Sequence, residues 1–174
     1  MGKFIEYNRV EATKYATKWA LSRNPAYKDY EEWGGDCTNY VSQCVHAGGI
    51  PFDHEGNNIL KQWYWYSDMN RTPSWTGAEP FYKYLIGNNT DDTQNFGVYA
   101  KEVAYNELEL GDIVQLIYEN DLAYHNMIIT DVILEGNYLI DYLICQHTYD
   151  LLNYPLSMKQ GEKRYIKILG YYES

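Results

Sequence analysis

Hydrophobic residues recur at helical spacing in the first fifty residues. A stripe at i, i+3, i+4, i+7 and i+8 predicts a helix from Val10 to Ser22, which Asn8 can cap, and Asn24 followed by a proline ends it. The same spacing predicts a second helix from Cys37 to Ala47, which a glycine pair closes. The stripes consist of Ala12, Tyr15, Ala16, Trp19 and Ala20 in the first helix, and of Cys37, Tyr40, Val41, Cys44 and Val45 in the second.

The last third of the chain is typical of strands. Its segments are rich in Ile, Val, Leu and Tyr and are bounded by turn residues. The hairpin signal EGN joins two of them in an antiparallel meander. If Leu134 faces Tyr138 across this hairpin, His125 faces His147, and a change of one residue in register brings Gln146 or Thr148 there instead. The predicted strands are Asp112–Tyr118, Asn126–Leu134, Asn137–Gln146 and Arg164–Tyr172.

The middle of the chain, from residue 50 to residue 100, shows no long periodic segment. It holds a predicted short helix from Gly77 to Ile86 and a polar loop, GNNTDDTQNFG. Helices first and strands later indicate one α+β domain over residues 1–174, with N-terminal helices packed on a C-terminal antiparallel sheet.

Composition narrows the function classes. With 174 residues and 45% hydrophobic residues, the chain can bury a core, and no apolar run is long enough to span a membrane. A net charge of −10 without basic clusters argues against a nucleic-acid partner. Because the N-terminal residues lack the pattern of a signal peptide, we expect either a cytoplasmic protein or a processed domain of an exported one. The oligomeric state is left open.

Cys37 is the candidate nucleophile. Gly34 and Gly35 permit a sharp turn into the second helix, Asp36 can cap it, and Cys37 then lies in its first turn. Unpaired N–H groups there favour a thiolate by about 0.3–1 kcal/mol, up to ~2 kcal/mol when partly buried, and can also hold an oxyanion. Three cysteines do not form a disulfide framework, and the other two, Cys44 and Cys145, are predicted to be core residues.

His125 is the candidate base and His147 the candidate residue that orients it. A catalytic imidazole needs one ring nitrogen for the thiol proton and a polar partner on the other. His46 lies at the far end of the helix that begins at Cys37, about 13 Å away along its axis. His54 is predicted to face solvent in a polar loop.

Several segments resemble a known bacterial family, the "Putative amidase domain" family. They are YNRVEATKYATKWA, GGDCTNYVSQCVHAGG, WYWYSDMNRTPSWTGA, LGDIVQL, HNMIIT and QHTYD, and the resemblance runs from Tyr7 to about Leu156. Tyr40 replaces the phenylalanine usual in the family, and Asn126 follows the histidine where serine is common. The family belongs to the papain-like group that includes cell-wall endopeptidases and cysteine, histidine-dependent amidohydrolases.

The resemblance implies a papain-like α+β fold and amide hydrolysis with Cys37 as nucleophile and His125 as base. The third catalytic position is assigned to His147, with Gln146 as its nearest rival. A peptide or peptidoglycan amide is the expected substrate, and no metal or organic cofactor is implied. The predicted oxyanion and supporting residues are Asp36, Asn39, Gln43 and Gln146, and the predicted substrate cleft contains Trp75, Ser74 and Trp63.

Two alternatives remain open at this stage. The domain is either a cysteine amidase or a non-catalytic module that binds peptides or glycans on the same fold. An acyl transferase is mechanistically close to the amidase, because an amine can intercept the thioester in place of water.

Overall fold

The computed structural model describes residues 2–90 and 96–174 and confirms a mixed fold of helices and an antiparallel sheet. No helix within these residues is long and apolar enough to cross a membrane. The helices are α1 (Arg9–Trp19), α2 (Cys37–Ala47), α3 (Pro73–Thr76) and α4 (Ala78–Gly87). The strands are β1 (Phe4–Glu6), β2 (Trp65–Ser67), β3 (Asn70–Arg71), β4 (Gly97–Glu102), β5 (Ile113–Ile117), β6 (Ala123–Glu135), β7 (Tyr138–Gln146), β8 (Leu151–Pro155) and β9 (Glu162–Tyr172).

The predicted helices are all present. Helix α2 has the predicted bounds, and Asn8 caps α1 by accepting a hydrogen bond from the Glu11 N–H. Helix α1 ends at Trp19 rather than Ser22, and α4 lies one residue further along the chain than predicted. Periodic apolar spacing therefore located the helices that carry the candidate nucleophile and cover the sheet.

Over the residues that the structure describes, the main sheet contains seven strands, in the order β1-β9-β5-β6-β7-β8 with β4 also pairing with β9. The four predicted strands are its centre. Strands β1, β4 and β8 were not predicted, because β1 and β8 are short and β4 lacks an alternating pattern in a stretch that was read as irregular. Residues 91–95 of the predicted polar loop lie outside the described residues.

The predicted register between β6 and β7 is wrong by one residue or more. The turn uses only two residues, so Glu135 pairs with Tyr138 and Leu134 pairs with Leu139. Two irregularities further along the ladder shift the pairing again, between Ile133 and Leu134 and between Ile129 and Asp131. Because side chains alternate between the two faces of a sheet, these shifts decide which polar residue meets His125.

The sheet buries an apolar cluster on each face. The helices pack on the first cluster, which includes Cys44 and Cys145 and confirms both as buried free thiols. The second cluster packs Val114, Met127 and Ile144 together on residues that alternate with the first set along the strands. The strands that carry the candidate site are therefore fixed from both sides.

A buried carboxylate joins the first helix to the sheet. Asp112 is fully buried and accepts hydrogen bonds from the Arg9 guanidinium at 2.7 Å, the Ile168 N–H at 3.0 Å and the Glu109 N–H at 2.8 Å. Lys167 lies 3.3 Å from the same carboxylate. One side chain thus connects α1, the turn before β5, and β9.

Replacing Asp112 with Ala is expected to lower the free energy of unfolding by about 3–5 kcal/mol, because Arg9 loses its buried partner and two N–H groups lose their acceptors. Urea denaturation monitored by circular dichroism measures this change. Asp131→Ala is the matched control, since Asp131 is exposed, and we expect it to stay within about 0.5 kcal/mol of the wild type. Equal destabilisation by both substitutions would contradict this role of Asp112.

Candidate active site

Two glycines shape the approach to Cys37. Gly34 and Gly35 have φ angles of 102° and 108°, which glycine adopts without the steric cost of a side chain. A Cβ atom at Gly35 would lie 3.1 Å from Thr148 Oγ1, whereas one at Gly34 would meet nothing within 4 Å. The turn that leads to the helix therefore packs directly against the end of β7. Cys37 is the first residue of α2 and is 9% exposed.

Asp36 does not cap α2 with its side chain, in contrast to the prediction. Its Oδ1 instead accepts hydrogen bonds from the Tyr30 N–H at 2.8 Å and from Asn39 Nδ2 at 2.9 Å. The reason is geometric, since the carboxylate points back into the preceding loop and not along the helix. The N–H groups of the first helical turn are consequently not taken up by this side chain.

The Cys37 thiol lies against strand β6. The Asn126 backbone N–H and Thr38 donate hydrogen bonds that lower the thiol pKa, but burial outweighs them and the net effect raises the pKa of Cys37. Asn126 is held in place by a hydrogen bond from its Nδ2 to Thr38 Oγ1 at 2.9 Å and by one from Gln115 Nε2 at 2.9 Å. Burial therefore favours the neutral thiol of Cys37 over the thiolate.

His125 is oriented by Gln146. Gln146 Nε2 donates to the Thr148 and Tyr149 carbonyl oxygens at 3.0 and 2.8 Å, so Gln146 Oε1 must be the atom that faces His125 Nε2 at 2.9 Å. An amide oxygen only accepts, and His125 Nε2 therefore carries the proton. Nδ1, the ring nitrogen nearer to the strand backbone, keeps the lone pair. Burial lowers the pKa of His125, which keeps this imidazole neutral at neutral pH.

The Cys37 thiol lies beside the β6 residue that follows His125. Cys37 receives the N–H of Asn126, and His125 is the residue immediately before it. Among the described contacts, no direct hydrogen bond joins the thiol to the imidazole, and the nearest side-chain partner of Cys37 Sγ is Thr38 Oγ1 at 3.7 Å. Such contacts commonly tighten only when substrate is bound.

His147 does not face His125, contrary to the register prediction. Its Nδ1 lies 2.5 Å from Asp36 Oδ2 and its Nε2 lies 2.7 Å from the Trp19 carbonyl oxygen. Both ring nitrogens are thus engaged on the opposite side of β7 from Gln146. The two-residue hairpin and the two irregularities of the ladder account for this exchange of positions.

The strained turn after β7 holds Gln146 in place. Thr148 and Tyr149 both have a φ of 60°, which is uncommon for residues other than glycine and unfavourable for a β-branched threonine. This conformation presents two successive carbonyl oxygens to one amide group. Strain of this kind is concentrated at functional sites, and here it sets the orientation of Gln146, which contacts His125.

The other predicted supporting residues have structural contacts. Asn39 binds the Lys28 carbonyl and the Asp36 carboxylate through its Nδ2, and it accepts from Trp75 Nε1. Gln43 accepts a hydrogen bond from Tyr15 at 2.5 Å. The polar atoms of the Asn39 side chain are thus bonded away from Cys37.

The predicted substrate cleft is wrong. Trp75, Ser74 and Trp63 are all buried within the core, and the indole N–H of Trp63 donates to Ser42 Oγ. The composition of TPSWTG does not distinguish a buried tryptophan from one that lines a cleft.

Exposed aromatic rings border the site instead. Trp33, which precedes the glycine turn, is 70% exposed, and Tyr149, which follows Thr148, is 87% exposed. Tyr124, next to His125, is 40% exposed and stacks on Tyr118 with ring centroids 4.3 Å apart. Their positions beside Gly34, Thr148 and His125 were available in the sequence, but no periodic signal distinguished them from the many other tyrosines.

Comparison with known proteins identifies the family. The model of the "Putative amidase domain" family matches residues 6–169. The chain belongs to this family. Two proteins of Bacillus subtilis (strain 168) are similar: "Uncharacterized protein YhbB" is 32% identical over 86% of this chain, and "Uncharacterized protein YjcM" is 30% identical over 92%. The chain spans 44% and 36% of their respective lengths, and no solved structure matches it significantly.

Family membership establishes a coarse functional class, and the printed names of the two relatives add no substrate. A hydrolase acting on amides is what the family model supports. Within residues 2–90 and 96–174, no group of three or more His, Cys, Asp or Glu side chains has the arrangement of a metal site.

Gly34 and Gly35 offer a matched pair of substitutions. Alanine at either position loses about 1–2 kcal/mol of stability because of its positive φ, but only Gly35→Ala also brings its Cβ into a tight contact with Thr148 Oγ1, at 3.1 Å. We expect Gly35→Ala to lower the free energy of unfolding by a further ~1–3 kcal/mol, the usual cost of overpacking. Urea denaturation of the two variants measures the difference. Equal losses in the free energy of unfolding would show that the close approach to Thr148 does not affect stability.

The lowered pKa of His125 predicts the pH dependence of activity. A base must be unprotonated, so kcat/KM is expected to stay constant from neutral pH downwards and to fall only below about 6.5, the unperturbed histidine value. Gln146→Glu places a carboxylate at Nε2, stabilises the imidazolium and is expected to move this fall to higher pH. Gln62→Glu, distant in the chain and bonded to Gly56, is the control. An unshifted profile in Gln146→Glu would contradict the assignment.

Proposed function

We propose that this domain is a cysteine-dependent amide hydrolase with a papain-like arrangement of Cys37, His125 and Gln146. The observation that carries the proposal is the bond pattern of Gln146, which leaves a lone pair on His125 Nδ1 beside the strand segment that contacts the Cys37 thiol. Gln146 takes the third position, for which the sequence favoured His147. A neutral base next to a thiol is the arrangement that nucleophilic catalysis requires.

The chemistry proceeds in two halves. His125 Nδ1 accepts the Cys37 proton while Sγ attacks the amide carbonyl carbon, and the oxygen of the tetrahedral intermediate is held by the free N–H groups at the start of α2. The C–N bond breaks as His125 returns the proton to the amine, which leaves a thioester on Cys37. Water, deprotonated by His125, then attacks the thioester, and the carboxylic acid and the thiol are released.

Electrostatics make the first step concerted. Burial raises the pKa of Cys37 and lowers that of His125, so both groups are neutral before substrate binds. Proton transfer is then coupled to attack on the carbonyl and does not precede it. The N–H groups of α2 stabilise the negative charge that develops, in a site from which most water is excluded.

A peptide is the substrate class that fits the surroundings best. Trp33 precedes the glycine turn, and Tyr149 follows Thr148, which lies against that turn; exposed rings of this kind pack on extended or cyclic groups of a ligand. The net charge of −10 disfavours a strongly anionic polymer as the main partner. We therefore place peptide amides, including those of peptidoglycan stem peptides, ahead of other amides.

Substitution of the nucleophile tests the proposal. Cys37→Ala is expected to reduce hydrolysis of a peptide-amide panel by at least about a thousandfold, because every bond-making step uses this thiol. Liquid chromatography with mass spectrometry measures the release of acid and amine. Cys145→Ala, at a buried free thiol in β7, is the matched control and should retain activity.

The same assay separates the alternatives. An acyl-enzyme on Cys37 that is consumed by an added amine faster than by water would indicate a transferase with the same nucleophile. Hydrolysis that persists in Cys37→Ala would contradict the proposal. Saturable peptide binding by wild-type protein without turnover of any panel member would also contradict it and would favour a binding module.

A further inference from the structure

Both ring nitrogens of His147 face hydrogen-bond acceptors. Nε2 points to the Trp19 carbonyl oxygen at 2.7 Å, and Nδ1 points to the Asp36 carboxylate at 2.5 Å. A carbonyl oxygen cannot donate, so Nε2 carries a proton. A neutral imidazole has only one N–H group, and it would therefore leave Nδ1 facing a carboxylate without a proton between them unless Asp36 itself were protonated.

The contacts of Asp36 place the proton on the ring. Its Oδ1 already accepts hydrogen bonds from the Tyr30 N–H and Asn39 Nδ2, and Arg23 Nε lies 3.4 Å from its Oδ2. Two donors and a nearby guanidinium favour the ionised carboxylate. The His147 ring is then a cation, 1% exposed, and it stacks on Tyr40 with ring centroids 3.9 Å apart and planes 20° apart.

Other charged groups surround this pair and compensate it. Arg23 binds Asp150 at 2.7 Å and lies 3.2 Å from Asp29 and 3.4 Å from Glu31. Glu31 also accepts a hydrogen bond from the Thr148 hydroxyl at 3.2 Å. The buried cation and anion are thus part of a network that alternates in sign, which offsets the cost of removing them from water.

Three consecutive residues at the end of β7 each hold a different part of the candidate site. Gln146 orients the base, His147 binds the carboxylate of Asp36, and Thr148 Oγ1 accepts the Asp36 N–H at 2.9 Å. Asp36 is the residue immediately before Cys37. One short segment therefore determines the position of the nucleophile and the orientation of the base together.

We propose that His147 is a positioning residue that, as a buried cation between Asp36 and Trp19, keeps Cys37 in register with His125 and Gln146. This inference rests on the proposed amide hydrolase activity. His147 does not contact the reacting atoms, and it acts through Asp36. Loss of the contact lets the first turn of α2 move relative to β7, and a misplacement of about 1 Å can reduce a rate on the order of a hundredfold.

The charge state of His147 is tested without any substrate. Nitrogen-15 NMR of protein labelled at histidine reports which ring nitrogens carry protons, and His147→Gln assigns the signal. At neutral pH we expect two protonated nitrogens for His147 and a single one, Nε2, for His125. One protonated nitrogen for His147 would overturn the inference. This result stands even if the domain hydrolyses no amide, so its failure is distinguishable from failure of the proposed function.

Kinetics test the positioning role. His147→Gln is expected to lower kcat on the order of a hundredfold with KM little changed, per mole of protein that circular dichroism shows to be folded. Normalising to folded protein removes the effect of unfolded protein, which a purely structural role would produce. His54→Gln, at an exposed histidine bonded to Tyr66, is the control and should leave kcat unchanged. Wild-type kcat in His147→Gln would overturn the inference.

Substitutions at Asp36 keep the test decisive if His147→Gln does not fold. Asp36→Ala removes the acceptor and should reduce kcat as His147→Gln does. Asp36→Asn retains a bond, because its amide can donate to the neutral ring while its oxygen still accepts from Tyr30, and it should preserve much more of the activity. Equal losses in Asp36→Asn and Asp36→Ala would contradict a positioning contact.

Discussion

The hydrogen bonds of the Gln146 amide are the interaction on which the rest of the candidate site depends. Its NH₂ group is fixed by two carbonyl oxygens of a turn in the left-handed region, and this fixes the oxygen toward His125. The tautomer of His125, and with it the position of the lone pair, follows from that one orientation. The strained backbone at Thr148 and Tyr149 therefore helps to set the tautomer of His125.

Two buried histidines lie close together in the fold, and their different hydrogen-bond partners give them different roles. His125 has an amide partner and no carboxylate, so burial lowers its pKa and leaves it neutral, as a base must be. His147 faces a carboxylate and a carbonyl oxygen, and this pattern favours a cation that cannot act as a base. The neighbouring side chains, and not the residue type, thus distinguish the proposed base from the second imidazole.

Much of the fold and part of the candidate site could be predicted from the sequence. Apolar spacing located α1 and α2, the glycine pair and Cys37 indicated a nucleophile at a helix start, and His125 was assigned from the predicted sheet. The partner of His125 was misassigned because a two-residue turn and two ladder irregularities shift the partners of β6. Local pattern does not encode such shifts. Trp63 and Trp75 were misread for a related reason, since burial of an aromatic ring depends on distant elements of the chain.

The most direct test of the central claim, that His125 activates Cys37, is the rate of iodoacetamide alkylation at Cys37 in wild-type protein and in His125→Ala, followed by mass spectrometry across pH. The account predicts that Cys37 reacts at neutral pH, ahead of the buried Cys44 and Cys145, and that this reaction slows sharply in His125→Ala. A Cys37 alkylation rate that is the same in both proteins at every pH would contradict it.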